Sequence, residues 1–136
     1  MKKYVIPDRG KEIHFYNVFA ANDPESTVYI INKVTANLSN AEKIIILNSR
    51  ADRLFRSQQL IDSLSQVEYD YLLLTGEIPE KVEAYALEKK VPRDRLFAMG
   101  QPLTEEIYKK VWELTKAEAH VLGIGNIAGE YKYGAQ

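Results

Sequence analysis

The chain has 136 residues, enough for one domain with about two thirds of its unfolded surface buried in a single core, and too few for two ordinary domains. Its 18 Lys and Arg residues nearly cancel 19 Asp and Glu residues, so no global field exists to hold a nucleic acid or an anionic membrane. With no cysteine, disulfides, thiolate metal sites and a cysteine nucleophile are excluded; no apolar run nears the roughly 18 residues of a membrane span.

The chain opens with "MKKYVIPDRG", whose lysines are followed by no long apolar segment, so it does not read as a secretion signal. Within it "KKYVI" (2–6) reads as a strand, and "HFYNVFA" (14–20) as a second. The short link "PDRGKE", with Asp8, Arg9 and Gly10 at its centre, cannot hold a crossover, so this pair is expected to be antiparallel. Asp23 then Pro24 reads as an N-cap followed by the first residue of a helix over 24–38, with Val28, Ile31 and Val34 at apolar spacing. "KIIIL" (43–47) is a continuously apolar strand, followed by a helical pattern over 58–67 carried by Leu60, Ile61 and Leu64. "YDYLLLT" (69–75) repeats the strand signal and 79–89 the helix signal. "RLFAM" (95–99) gives a fifth strand. A helix over 104–115 is opened by Thr104, Glu105 and Glu106, and "AHVLGIG" (119–125) is the sixth strand.

Strands alternating with helices of ten to fifteen residues imply right-handed crossovers and a mostly parallel sheet covered on both faces. The expected architecture is a Rossmann-like three-layer α/β/α domain over residues 1–136, with about six strands and an N-terminal antiparallel hairpin.

In an open α/β sheet, ligands bind beyond the carboxyl ends of the parallel strands. "NSRADR" follows the third run there. Arg50 and Arg53 can present two guanidinium forks to a carboxylate or phosphate, and Asp52 can hold one of them or take an amine. The competing reading is a solvated surface with an Asp52–Arg56 helical pair. Asn22 and Asp23 in "FAANDPEST" reach the same edge, where Asp23 can also be an ordinary cap. "GIGNIAG" brings Gly123, Gly125 and Gly129 into a turn whose amides suit an anion; packing glycines are the alternative, because the motif follows the last strand and lacks dinucleotide spacing. His14 and His120 are the only histidines, and neither has a second ligand at metal spacing, so both read as structural or surface residues. The tyrosines and Trp112 are scattered at strand and helix spacing, which suits core and rim and not a nucleic-acid platform.

Taken together and in order, "FAANDPEST", "IIILNSRADRLFRSQQ", "LLLTGE" and "VLGIGNIAG" resemble the carboxyl-terminal domain of the poly-γ-glutamate synthase ligase subunit of capsule biosynthesis, a relative of the Mur ligases and folylpolyglutamate synthase. The likeness runs from about Phe15 to Gly129. It implies an ATP-dependent amide ligase in which an acyl phosphate is attacked by the amine of an amino acid. It further implies that this domain closes over a central ATPase domain. Under that reading Arg50, Asp52 and Arg53 hold the amino acid substrate, and Asn22, Asp23, Gly125, Asn126 and Gly129 contact the nucleotide. ATP and Mg²⁺ would be bound mainly by the other domain, membrane-associated synthase subunits would be partners of the full enzyme, and the location would be cytoplasmic, at the inner face of the membrane. One departure is Ala128, where the family motif usually carries a histidine.

The sequence contains no G-x-x-G-K-[ST] phosphate loop. It is therefore expected to be part of a larger ligase or a detached subunit, and inactive alone. The alternative of another class is a non-catalytic Rossmann-like module that binds a small anion or a protein partner.

Overall fold

The computed structural model describes residues 2–19, 23–38 and 40–125. Six strands, β1 (Lys2–Asp8), β2 (Lys11–Asn17), β3 (Glu42–Ser49), β4 (Tyr71–Gly76), β5 (Leu96–Gly100) and β6 (Glu118–Gly125), form one sheet in the order β1-β2-β6-β3-β4-β5. Only β1 and β2 run antiparallel; every other neighbouring pair is parallel. Among the described residues four helices flank the sheet: α1 (Pro24–Thr35), α2 (Leu54–Ser63), α3 (Pro79–Glu88) and α4 (Thr104–Leu114). None is long and apolar enough to cross a membrane.

The continuous apolar run of β3 explains its central place. Ile44, Ile45, Ile46 and Leu47 are all fully buried, and because successive side chains point to opposite faces, the run must be covered twice. Ile45 and Leu47 join Leu72, Leu74, Leu122 and Ile124 beneath Ile31 of α1, Leu60 of α2 and Val82 of α3. Ile44 and Ile46 join Phe15, Leu73 and Val121 beneath Ile107 and Val111 of α4. Three helices thus cover one face and α4 covers the other.

The hairpin turn is built as the sequence implies. Arg9 and Gly10 both take positive φ, 48° and 84°, as a two-residue turn with the twist of the strands requires, and Asp8 pairs with Lys11. Its tip docks on α4: the Tyr108 hydroxyl donates to Asp8 Oδ2 at 2.8 Å, and Lys11 Nζ donates to the Trp112 carbonyl at 2.9 Å. Lys11 Nζ also lies 3.6 Å from the centre of the Trp112 ring. Burial and the Asp8 carboxylate push the Tyr108 hydroxyl up to about 12, so it remains a donor at ordinary pH.

Several boundaries differ from the sequence reading: α1 ends at Thr35 and not at 38, and β2 runs over Lys11–Asn17 and not 14–20. Helix α2 begins at Leu54, four residues before the expected Gln58, because Leu54 already packs on the core and Ser57, Leu60 and Ile61 continue the same buried stripe. It ends at Ser63, and a short 3₁₀ turn (Leu64–Gln66) follows. At α4 the cap position is Leu103 and not Thr104; the Glu106 carboxylate accepts the Leu103 amide at 2.7 Å, the half of a capping box that the third helical residue supplies.

Candidate functional site

The edge formed by the carboxyl ends of β4, β3 and β6 is set by backbone contact. Gly76 ends β4 at φ +108°, and a β-carbon there would lie 2.2 Å from the Ser49 carbonyl oxygen. Gly125 ends β6 at φ +99°, where a β-carbon would lie 2.3 Å from the Asn48 carbonyl oxygen. The two glycines let β4 and β6 close on β3 from either side. Of the readings open for Gly125, this is the packing one. Beneath them the buried Thr75 hydroxyl donates to Asn48 Oδ1 at 2.8 Å, and Ser49 Oγ donates to the Thr75 carbonyl at 3.2 Å. Polar side chains buried here are hydrogen-bonded to each other, so the end of β3 is fixed before "NSRADR" leaves it.

From that point Arg50 is extended (φ −120°, ψ 144°) and a 3₁₀ turn (Ala51–Arg53) leads into α2. Arg50 Nη2 donates to Asp52 Oδ2 at 3.0 Å. Asp52 thus pairs with the Arg50 guanidinium at the surface, where 38% and 61% of the Arg50 and Asp52 side chains are exposed. Arg53 is exposed at the entrance of α2. A residue given no role by the sequence reading, Glu77, locks the loop: its carboxylate accepts the Ala51 amide at 2.8 Å, and its own amide donates to the Ser49 carbonyl at 3.0 Å. The only sequence signal for it is its place directly after the β4 glycine.

Asp23 caps α1, accepting the Ser26 amide at 2.7 Å and the Ser26 hydroxyl at 3.0 Å. Those bonds, with the nearby positive charge of Arg56, hold its carboxyl below the usual range. Asp23 and Arg56 thus bring the start of α1 and the first turns of α2 to one edge. Because its folded pKa is depressed, the contribution of Asp23 to stability is present above the ordinary value near 3.9 and is lost as pH falls through the folded value. Asp23→Ala is therefore expected to melt earlier than wild type at pH 7 and to converge on it as pH falls through the lowered pKa of Asp23, while Asp23→Asn keeps the cap throughout. Thermal melts across that range check it. Asn22, Asn126, Ala128 and Gly129 lie outside the described residues.

The opposite edge carries a cleft of about 670 Å³ lined by Lys43, Asp62, Asp70, Lys89, Lys90 and Arg95, among others. It lies at the amino ends of β3 and β4, so it is separate from the edge that the strand order marks for ligands.

The sheet brings the two histidines together. In the register of β2 and β6, Glu12 pairs with Glu118 and His14 with His120. Their rings stack at 4.3 Å between centroids, and one ligand atom from each of His14, Glu118 and His120 lies within 4.8 Å of the other two. A separation of more than 100 positions hides this in the sequence; the sole trace is E-x-H occurring twice, at 12–14 and 118–120.

A six-stranded, mostly parallel sheet with an antiparallel N-terminal hairpin and a polar carboxyl edge places the chain, by fold, with domains of the Mur-type ligases. Among solved structures, it resembles a UDP-N-acetylmuramoyl-L-alanyl-D-glutamate--2,6-diaminopimelate ligase with a TM-score of 0.61 at 14% identity, over 98% of this chain and 28% of that one. It also resembles the UDP-N-acetylmuramoylalanyl-D-glutamyl-2,6-diaminopimelate--D-alanyl-D-alanyl ligase of Acinetobacter baumannii, with a TM-score of 0.54 at 20% identity, over 90% of this chain and 25% of that one. The family model of the poly-gamma-glutamate synthase CapB C-terminal domain matches residues 3–133, and the chain belongs to that family. It is 40% identical over 121 residues to the PGA synthase CapB of Bacillus subtilis (strain 168), covering 85% of this chain and 30% of that protein. It is 32% identical over 124 residues to the capsule biosynthesis protein CapB of Bacillus anthracis, covering 90% of this chain and 26% of that protein. The chain therefore spans less than a third of the length of these relatives.

Proposed function

We propose that this domain serves an ATP-dependent amide ligase of poly-γ-glutamate or capsule synthesis, where it closes over a central ATPase domain and presents the incoming amino acid, glutamate in this reading. The observation that carries it is the family match over residues 3–133 combined with a guanidinium pair at the carboxyl edge of β3. Arg50 is paired with Asp52, and Arg53 is exposed three positions on, at the helix entrance. Two planar forks suit the carboxylate of an amino acid or a phosphate oxygen. In the complete reaction, ATP phosphorylates a carboxylate, the amine of the amino acid attacks the acyl carbon, and phosphate leaves. This sequence has no phosphate-loop lysine, so the triphosphate and its Mg²⁺ fall to the central domain. The part of Asp23, Asn22, Gly125, Asn126 and Gly129 would be to complete the nucleotide side of the closed site. Membrane-associated synthase subunits would meet the full enzyme at the cytoplasmic face of the membrane.

Lysine keeps the charge of arginine and loses the fork. In the complete enzyme, Arg50→Lys and Arg53→Lys are expected to lower amide synthesis by the equivalent of about 1–3 kcal/mol, roughly 5- to 150-fold, while nucleotide affinity is largely kept. Polymer formation measured beside ATP binding decides it. Synthesis at the wild-type rate from both variants would assign the amino acid to other residues.

A further inference from the structure

The histidine pair on β2 and β6 does not belong to the carboxyl-edge site. His14 and His120 sit side by side on neighbouring parallel strands, on the sheet face that also carries Tyr16. Each ring is tied to the carboxylate two residues before it: His14 Nε2 to Glu12 Oε1 at 2.7 Å, and His120 Nε2 to Glu118 Oε2 at 2.7 Å. The other nitrogen of His120 is engaged by the Tyr16 hydroxyl at 2.7 Å. One polar atom is left over: Nδ1 of His14 is buried without a hydrogen-bond partner among the described residues. Both imidazoles are largely shielded, with 12% and 5% of their side-chain surface exposed, whereas Glu118, at 45%, opens the cluster to solvent.

We propose that His14, Glu118 and His120 form a binding site for a divalent first-row transition metal, with Zn²⁺ as the best fit, that ties β2 to β6. Two imidazoles and one carboxylate are a borderline donor set that zinc accepts, and they are a poor set for Mg²⁺ or Ca²⁺, which take oxygen. Binding requires the ligand atoms to close in and the two imidazoles, stacked at 4.3 Å and 14°, to turn so that both ring-plane lone pairs face one ion. Ligand atoms of a tetrahedral zinc site lie about 3.3 Å apart, given metal–ligand bonds of about 2.0–2.1 Å, and the three atoms here are already within 4.8 Å of one another. The cation takes the position of the proton shared by His120 Nε2 and Glu118, so those two atoms separate by only about half an ångström. Tyr16 stays on His120 Nδ1 and fixes the ring, the part that an outer hydrogen bond plays at histidine metal sites. Glu12 lies next to His14 to accept the ring proton or to supply the fourth position. Lys3, whose charge is felt by both Glu118 and His120, opposes the ion, and Lys43 is the register partner of His120 on β3.

The test uses tag-free protein stripped with a chelator, at pH 7.5, titrated with ZnCl₂ by calorimetry and with CoCl₂ by visible absorption. His14 and His120 are the only histidines in the sequence, so cobalt bands of imidazole ligation can arise only from them. The expected results are one equivalent of Zn²⁺, a thermal midpoint that rises with zinc and returns on chelation, and no response to MgCl₂. His14→Gln and Glu118→Gln, both at the more open side of the cluster, should each weaken zinc binding at least tenfold; circular dichroism confirms that they fold. Absence of saturable binding at one equivalent, or wild-type affinity in both variants, overturns the proposal.

Discussion

Alanine at Gly76 is expected to destabilise the domain by more than about 3 kcal/mol, a large part of the 5–15 kcal/mol that holds an ordinary domain folded. Two penalties coincide. At φ +108° an L side chain is strained whatever the space around it, and the added carbon would meet the Ser49 carbonyl oxygen at 2.2 Å and the Ser49 nitrogen at 2.6 Å. Backbone cannot step aside like a flexible side chain, so β3 and β4 must part where Ser49 pairs with Gly76. Gly100→Ala is the control. It shares a positive φ, +72°, but a β-carbon there meets nothing within 4 Å, and its cost is expected to stay near 1 kcal/mol. Denaturant titrations of the two variants separate strain from clash. Similar small losses in both would mean that the β3–β4 end yields easily, and with it the fixed starting point of "NSRADR".

Much of the fold was legible because its signals are local. The runs at "IIIL" and "LLL" need two covered faces, the link through Arg9 and Gly10 is too short to cross over, and Asp23–Pro24 announces a helix start; all three hold in the structure. What failed locally was the reach of α2, since charged residues at 50–53 look like loop until Leu54 is seen to pack on the core. The insertion of β6 between β2 and β3 is not written in any short stretch. It follows only from how the whole sheet is ordered, and two features depend on it: Gly125 against Asn48 at the carboxyl edge, and His120 beside His14 away from that edge. Arg50 and Asp52 were readable from spacing, whereas Glu77 was not, because its contact with Ala51 joins loops 26 positions apart.

Ile45→Ala and Ile46→Ala are each expected to cost about 2–5 kcal/mol, although they are neighbours and point to opposite sides of the sheet. Both are fully buried: Ile45 under the α1–α3 layer and Ile46 against the α4 layer. In a sheet with one wet face, one of two consecutive truncations would be nearly free, as expected for Val5→Ala on the edge strand, where Val5 keeps 48% of its surface exposed. Equal, large losses from the two isoleucines would therefore establish that β3 is clamped from both layers. Equilibrium unfolding of the three variants measures this. A value within about 0.5 kcal/mol of wild type for either isoleucine would open one face of the sheet. Arg50 and Asp52 would then hang from a strand held on one side only, too loosely to aim a guanidinium fork.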